Sequence, residues 1–357
     1  MPRDAELAAW IKLSLVAGLG GQSFRKLLAA FGLPHHVLAA SRSALARVVS
    51  TEVAEGIVAD SDTRAVDAAL DWAALDGHAV LTLADGDYPR QLLETPDPPA
   101  LLYLRGRREL LARASLAVVG SRNATPQGLS NAQQFARAFS AAGLTIVSGL
   151  ALGIDAAAHR GGLDAAGSTI AVLGTGADIL YPQRNRVLGE RIAREGLIVS
   201  EFPLGTPPHG GNFPRRNRVI AGLARGCLVV EAAIASGSLI TARLAADQGR
   251  DVFAIPGSIH SPHSKGCHAL IKQGAKLVEN AQDLLLELGM QGVETPGAAG
   301  EAVANGLLAH LGYDPCDIDT LCARSGLTVQ AVSDMLLQLE LGGKVASLPG
   351  GLYQRTS

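Results

Sequence analysis

Leu116-Ala117-Val118-Val119-Gly120-Ser121-Arg122 is an apolar run that breaks off in a glycine turn. Short apolar runs of this kind recur up to Leu288 and alternate with segments of helical periodicity. Because the runs are apolar throughout, helices are expected to cover both faces of each strand. The pattern predicts an extended Rossmann-like, doubly wound parallel sheet of the α/β class. The predicted strands are Leu116–Val119, Thr145–Ser148, Thr169–Leu173, Leu197–Ser200, Cys227–Glu231, Val252–Ile255 and Lys276–Val278.

The composition of the 357-residue chain is that of a folded globular protein, with 48% hydrophobic and 18% charged residues. Its length predicts two or three domains. The net charge of −2 gives the whole chain no general attraction to nucleic acid. However, 25 of the 31 basic residues are arginine, and Arg184–Arg218 has a local excess of four positive charges. Arginine suits phosphates and base edges, although a GC-rich genome produces the same excess.

The cysteines and the uncharged segments indicate a reduced, cytoplasmic protein. The four cysteines form no C-x-x-C pair, and Met1–Trp10 lacks the pattern of a secretory leader. The longest uncharged stretch, Ala138–Ile154, has 17 residues and is broken by glycines. These breaks favour a helix end, a strand and a turn over a membrane span, so we expect no membrane association.

The sequence predicts a helical domain at the start of the chain, followed by the domain that contains the sheet. Residues 1–65 have apolar residues at helical spacing around Gly18–Gly21, and this region is similar to a helix-hairpin-helix or sterile-alpha-motif-like domain. Its glycine turn has backbone N–H groups for a phosphate, but a helical domain without a ligand fits the pattern as well. Residues 66–290 form the sheet domain, with two additional predicted strands at Ala79–Thr82 and Leu101–Leu104.

Residues 301–357 follow a predicted linker at 291–300 and have the order helix, turn, helix and β-hairpin that is typical of a winged helix. The second helix, Thr328–Leu341, would read a DNA groove, yet it carries Asp334 and Glu340 and no basic residue. The region has six acidic and three basic residues. Because a groove reader needs cations at the phosphates, we expect this domain to contact protein rather than to bind duplex DNA strongly.

Ligands of open parallel sheets bind beyond the carboxyl ends of the strands. The segments at those positions here are rich in glycine, serine and arginine, which suit phosphate binding. A dinucleotide site is not expected, because Gly120-Ser121-Arg122 replaces the G-x-G-x-x-G pattern, and no P-loop sequence occurs. An arginine in this turn favours a phosphodiester or a base face. We therefore expect no cofactor.

Phe213 lies among arginines in a predicted Gly/Pro-rich loop after the fourth strand. Stacking of a base on an aromatic ring contributes about 1–3 kcal/mol and tolerates any base. The alternative is that Phe213 only anchors the loop on the sheet. The sequence alone leaves both interpretations open.

Other polar groups favour structural roles. His260, His263 and His268, with Cys267 beside the last, lack the second ligand pair of a zinc site, so no metal is expected. Asp155 and His159 are four residues apart, as an acid–base pair would be. We expect instead that Asp155 caps its helix and orders the glycine loop before it.

Glu231 ends an apolar strand and supports a rival hypothesis, a nucleotide or sugar-phosphate hydrolase on a related Rossmann scaffold. A transcription regulator acting through the winged helix is a second rival, which the acidic recognition helix disfavours. A nicotinamide dehydrogenase is disfavoured by the missing glycine fingerprint.

Six segments of the sheet domain form a characteristic series: Val119–Arg122, Ser148–Asp155, Phe213–Gly222, Val230–Ala232, Ser236–Ser238 and Ile255–Ser258, with the later Gly266. This series resembles the DprA (Smf) family of DNA-processing proteins. The resemblance implies a single-stranded-DNA-binding protein without enzymatic turnover. It also implies a homodimer that acts in natural transformation, protects incoming strands and loads the RecA recombinase onto them. The helical and winged regions fit the family through weaker signals.

The resemblance also assigns roles to single residues. Arg122 matches the main phosphate contact of the family, and Phe213, Arg216, Asn217 and Arg218 match its second binding segment. Arg122 is therefore expected to pair with a phosphate and Phe213 to stack a base. Arg216 and Arg218 are expected to follow the strand's backbone.

One departure concerns the approach to Phe213. His209-Gly210-Gly211-Asn212 has one histidine and no lysine, where family members often carry more basic charge. Either Arg184 or Arg215 supplies part of that charge, or the affinity is lower. The complete set of expected DNA-binding residues is Gly120, Ser121, Arg122, Gly149, Arg184, Asn185, Phe213, Arg215, Arg216, Asn217, Arg218, Ser236, Gly237 and Ser238.

Overall fold

Within residues 3–59 and 63–73, the N-terminal region forms six helices. The protein is represented by a computed structural model that describes residues 3–59, 63–290 and 306–356. Trp10 and Phe24 stack in the core of this region with ring centroids 5.6 Å apart. The glycine turn joins the first two helices, as the sequence predicts, and Gly18 has a φ of +76° that favours glycine. The helices are α1 Arg3–Ser14, α2 Gly21–Phe31, α3 Pro34–Ala39, α4 Arg42–Leu45, α5 Thr51–Val58 and α6 Arg64–Ala73.

A nine-stranded sheet follows, in the order β1-β2-β6-β5-β4-β3-β7-β8-β9. Strands β3 to β9 are mutually parallel where they pair, which confirms the predicted Rossmann-like core. The two earlier strands extend the same sheet beside β6 in antiparallel orientation. The strands are β1 His78–Thr82, β2 Leu101–Gly106, β3 Ser115–Val119, β4 Thr145–Ser148, β5 Thr169–Val172, β6 Leu197–Ser200, β7 Gly226–Val229, β8 Asp251–Ala254 and β9 Lys276–Leu277.

Helices cover both faces of this sheet, as its uniformly apolar strands predict. Along β3, Ala117 and Val119 enter one core cluster, while Leu116 and Val118 enter the other. This division follows from the two-residue period of a strand. The helices of the domain are α7 Arg90–Leu93, α8 Pro126–Ala141, α9 Ile154–Leu163, α10 Arg186–Glu195, α11 Asn212–Leu223, α12 Ser238–Asp247, α13 Lys265–Lys272 and α14 Ala281–Glu287.

The C-terminal residues form the predicted winged helix. Its strands make a small antiparallel sheet in the order β10-β12-β11. Gly326 ends the first helix of the helix-turn-helix pair in the left-handed conformation. The predicted linker at 291–300 lies outside the described residues. The elements are α15 Gly306–Leu311, β10 Cys316–Asp317, α16 Ile318–Ser325, α17 Val329–Leu341, β11 Val345–Leu348 and β12 Leu352–Arg355.

None of the helices in the described part of the chain combines the length and the apolar character that crossing a bilayer requires.

Candidate nucleic-acid interface

A cavity of about 560 Å³ opens at the carboxyl ends of the parallel strands. It lies where the strand order reverses, between β3 and β7, and ligands of open α/β sheets bind at such a point. Three segments line most of it: the turn Gly120–Asn123 after β3, the first turns of α11, and the segment from Ala233 to Thr241 that leads into α12.

The turn after β3 presents Arg122 to solvent. Gly120 packs closely on α9 and on the end of β7, since a Cβ there would lie 2.6 Å from a side-chain carbon of Ile154. The Ser121 amide donates to the Glu231 carbonyl over 2.8 Å. Arg122 follows this fixed backbone and is exposed. The glycine and serine therefore shape the turn, and the arginine is free to meet a ligand.

Phe213 lies next to Arg122 at the rim of the cavity. The Arg122 guanidinium carbon is 5.8 Å from the centroid of the Phe213 ring, a cation–π distance. Phe213 is half-buried, and its ring lies where a Cβ on Gly174 would be 2.7 Å away. The ring thus packs on the sheet edge and also lines the cavity, so the two interpretations of Phe213 are compatible.

The segment around Phe213 is helical, and the loop predicted there is wrong. Helix α11 begins at Asn212 and includes Pro214 in its first turn, where a proline costs no hydrogen bond. A helix separates its side chains by direction. Phe213, Arg216 and Asn217 line the cavity, whereas Arg215 and Arg218 do not.

A residue that follows a DNA backbone is expected to be exposed, but Arg216 is buried beneath the cavity. Only 4% of its surface is exposed. Its guanidinium donates to the Gly149 carbonyl over 2.7 Å and also to the Val172 carbonyl. Burial lowers the pKa of Arg216 to about 10, with Asp155 opposing the change, so the group is charged at neutral pH. Arg216 therefore holds α11 to the ends of β4 and β5 and places a positive charge under the site.

Arg218 also departs from the expected role, because it points away from the cavity into an ion-pair cluster. Its guanidinium pairs with the carboxylate of Glu201 and donates to the carbonyl of Asp97. The Glu201 side chain is 4% exposed, and it also accepts from Arg215 over 3.4 Å. Burial raises the pKa of the Glu201 carboxyl, and Arg218 and Arg215 oppose that rise. These two arginines are already paired, so they offer less to a phosphate than Arg122 does.

The glycine loop Gly149–Gly153 forms part of the floor and is fixed by buried side chains. Asp155 accepts from the amides of Gly149 and Ala151 over 3.1 and 3.3 Å, which confirms that it orders the loop. The helix is capped by Gly153 without a side-chain bond, so the expected capping role of Asp155 is wrong. Burial raises the pKa of Asp155, against the nearby Arg216 and these amides.

His159 fixes the same loop from the next turn of α9. Its Nε2 accepts from the Leu150 amide over 3.2 Å, and its Nδ1 lies 2.7 Å from the Thr169 hydroxyl. The hydroxyl in turn donates to the Ile146 carbonyl over 2.8 Å, so Nδ1 carries the proton. Burial lowers the pKa of His159 to about 3. A permanently neutral histidine with these partners is structural, as expected.

Of the remaining residues expected to bind DNA, one is buried and the others are exposed or line the cavity. Asn185 is buried and donates to the carbonyls of Leu150 and Ala151 over 2.9 and 3.0 Å, whereas its neighbour Arg184 is exposed. On the opposite wall, the hydroxyls of Ser236 and Ser238 lie 2.7 Å apart at the start of α12. Together with Gly237 they line the cavity.

Tyr181 lies beside Phe213, and sequence reasoning missed it. Its ring centroid is 5.9 Å from that of Phe213. One signal in the sequence could have identified it: an aromatic residue stands three positions before Arg184, in a segment that follows a parallel strand.

Glu231 is engaged in holding a helix rather than facing the cavity. Its carboxylate accepts from the Thr125 hydroxyl over 2.6 Å and from the Thr125 amide over 3.0 Å. The Thr125 hydroxyl also accepts from the Gly128 amide, which caps α8. These bonds assign Glu231 a structural task at the start of α8.

No group of three potential metal ligands occurs among the residues that the structure describes. In the histidine-rich segment, Cys267 is buried, and His268 Nε2 lies 3.0 Å from the Gly257 carbonyl.

Two family models match this chain. One, described as DNA recombination-mediator protein A, matches residues 79–289, and the other, the DprA winged helix domain, matches residues 291–351. This chain belongs to the DprA family. The resemblance noted in the sequence is thereby confirmed.

Individual relatives agree with the DprA assignment. Protein Smf of Escherichia coli is 42% identical over 81% of this chain and 80% of its own length. Protein Smf of Synechocystis is 38% identical over 99% of both chains. An X-ray structure of DNA processing protein A from Streptococcus pneumoniae has a TM-score of 0.71, 38% identity, and covers 80% of this chain and 99% of its own.

A solved DprA from Helicobacter pylori has a TM-score of 0.54 and 32% identity, and covers 59% of this chain and 95% of its own. That structure concerns the single-stranded DNA binding mode of the H. pylori protein.

Proposed function

We propose that this protein binds single-stranded DNA at the cavity between β3 and β7 and acts without enzymatic turnover as a recombination mediator in natural transformation. The observation that best supports this proposal is the proximity of Arg122 and Phe213. The guanidinium carbon lies 5.8 Å from the ring centroid, at the point where the strand order of the sheet reverses. One strand can place a phosphate on the guanidinium and a base on the ring. The H. pylori relative has a single-stranded DNA binding mode, which supports the same assignment.

The chemistry of the site favours an unpaired strand over a duplex. Base stacking on an aromatic ring needs an exposed base face, which a duplex does not offer. The site has hydroxyls, backbone N–H groups and arginine for phosphates, and its buried Arg216 adds positive charge below. The acidic winged helix adds no attraction to duplex DNA.

The roles beyond strand binding are proposed from the resemblance to the family. We infer that a cytoplasmic homodimer protects incoming strands and loads RecA recombinase onto them. These finer roles rest on the family, whereas strand binding rests on the site itself.

The test is a fluorescence anisotropy titration with labelled oligonucleotides, single-stranded and duplex, over a series of salt concentrations. We expect tighter binding of the single strand, with a log–log salt slope of about −0.7 for each phosphate neutralised. Equal or tighter binding of the duplex would contradict the proposal. Release of free base from nucleoside monophosphates would instead support the hydrolase.

A further inference from the structure

Tyr181 is an aromatic residue beside Phe213 that keeps much of its surface in water. The residue is 44% exposed. Its ring centroid lies 5.9 Å from that of Phe213, with the ring planes inclined by 29°. Because an aromatic ring gains stability in proportion to the apolar area it buries, this ring contributes less to the fold than a buried one would.

The segment that carries Tyr181 is fixed to the floor of the cavity. Asn185, four residues later, donates from its side chain to the Leu150 and Ala151 carbonyls. Leu180 packs against the cluster that contains Leu150. The ring is therefore held in place before any ligand arrives, which lowers the entropic cost of binding.

Each ring has an exposed arginine near it, in space or along the chain, that has no carboxylate partner among the described residues. Arg122 is next to Phe213, and the exposed Arg184 follows Tyr181 by three residues. Within residues 3–59, 63–290 and 306–356, no ion pair of up to 4.0 Å involves Arg122 or Arg184. Arg215 and Arg218, in contrast, are paired with Glu201. Arg122 is thus an unpaired cation next to Phe213, and Arg184 is an unpaired cation in the segment that carries Tyr181.

We propose that Tyr181 is a second base-stacking residue, so that Phe213 and Tyr181 hold two bases of one strand, which then leaves the cavity past Arg184. This inference rests on the proposed function and extends it to the path of the strand. Phosphates meet Arg122 at one end of the path and Arg184 at the other.

The separation of the rings also predicts a base preference. Stacked bases in one strand of a duplex are 3.4 Å apart, whereas these ring centroids are 5.9 Å apart. Two neighbouring bases must therefore unstack from each other to use both rings. A flexible pyrimidine strand does this at lower cost than a stacked purine strand, so we expect oligo(dT) to bind more tightly than oligo(dA).

The first test measures the affinity of labelled oligo(dT) for the full chain carrying Tyr181→Ala, Tyr181→Phe or Tyr181→Leu. We expect the alanine variant to bind about 5- to 100-fold more weakly and the phenylalanine variant to bind like the wild type. The leucine variant fills the space beside Phe213 without a π-face, so it should be as weak as the alanine variant. Wild-type affinity in the leucine variant would show that Tyr181 only supports Phe213 and would overturn the inference.

The salt dependence separates stacking from charge. All three variants should retain the wild-type salt slope, because no cation is lost, whereas Arg184→Ala should make the slope about 0.7 shallower. If the wild type does not bind single strands, the proposed function fails. If the wild type binds and Phe213→Ala weakens it but Tyr181→Ala does not, only this inference fails.

A direct contact is measured by photocrosslinking. An oligo(dT) carrying one 5-iodouracil is bound to the wild-type chain, irradiated with long-wavelength ultraviolet light and digested for mass spectrometry. We expect crosslinked peptides that contain Tyr181 as well as peptides that contain Phe213. Crosslinking without any Tyr181 peptide, at every position of the iodouracil, would contradict a stacking role.

Discussion

Arg216 and Arg218 are two residues apart in α11 and illustrate how position alone separates the roles of identical side chains. Arg216 points to the sheet and bonds the carbonyls of Gly149 and Val172. Arg218 points the other way and pairs with Glu201. Both arginines anchor the helix that presents Phe213. Of the two arginines that line the cavity, Arg122 and Arg216, Arg122 is the exposed one. A basic cluster in a sequence therefore does not identify which of its members meet a ligand.

His159 permits a prediction at this scale. Its pKa is about 3 in the folded protein and about 6.5 in an unfolded chain. As the pH falls below 6.5, His159 binds a proton in the unfolded state but not in the folded state. The free energy of unfolding therefore decreases as the pH is lowered. Between pH 7 and pH 5 the free energy of unfolding should fall by about 2 kcal/mol on its account.

Urea unfolding of the wild type and of His159→Gln at both pH values isolates this contribution. Glutamine can accept from the Leu150 amide and donate to Thr169 without titrating. The wild type should therefore lose about 2 kcal/mol more than the variant. The same loss in both proteins would mean that His159 is not held neutral.

Helix α8 begins on Thr125, and its first turn depends on a carboxylate from a neighbouring strand end. Glu231 holds both the amide and the hydroxyl of Thr125. Negative charge at a helix N-terminus is favourable, and bonds to a charged acceptor are stronger than neutral ones. The element that flanks the Arg122 turn is thus fixed by the residue that the hydrolase hypothesis would make catalytic.

We expect Glu231→Gln to lower the free energy of unfolding by about 1–3 kcal/mol. The matched control is Glu279→Gln at an exposed glutamate, which should change stability by no more than about 0.5 kcal/mol. Chemical denaturation measures both. A nucleotide-hydrolysing activity that Glu231→Gln abolishes, with stability unchanged, would reverse this assignment.

Most of the parallel strands are predictable from sequence because each is a short apolar run that is followed by glycine, proline or a polar residue. The sequence does not predict helix α11, because Pro214 favours a loop, although the first turn of a helix accepts proline. The burial of Arg216 and the ion pairs of Arg218 depend on that helix, so neither was accessible to sequence reasoning. The antiparallel pairing of β2 with β6 joins segments far apart in the chain and left no local signal.

At the scale of the whole molecule, the N-terminal domain meets the sheet domain next to the ion pairs of α11. Arg25 of α2 donates to the Pro96 carbonyl over 3.2 Å, and a Cβ on Gly21 would clash with the Asp97 carboxylate. Asp97 also pairs with Arg218, with Oδ2 3.4 Å from Nε. The helical domain therefore braces the outer side of α11, while the cavity lies on its inner side.

The winged helix contributes differently. The outward side of α17 exposes Val329, Leu337 and Leu341, at 55%, 58% and 82%, together with the acidic Asp334. An apolar and acidic surface repels phosphates and suits a protein contact. We therefore propose that the sheet domain has the DNA-binding role, which depends on one strand touching both Arg122 and Phe213.

That dependence is tested most directly by measuring single-strand affinity against salt concentration for Arg122→Ala, Phe213→Ala and the control Arg225→Ala. Arg225 is exposed at the amino end of β7, the opposite edge of the sheet. We predict weaker binding and a slope about 0.7 shallower for Arg122→Ala, and weaker binding at an unchanged slope for Phe213→Ala. Arg225→Ala should match the wild type. Wild-type affinity and slope in Arg122→Ala, or a loss equal to it in Arg225→Ala, would contradict the account.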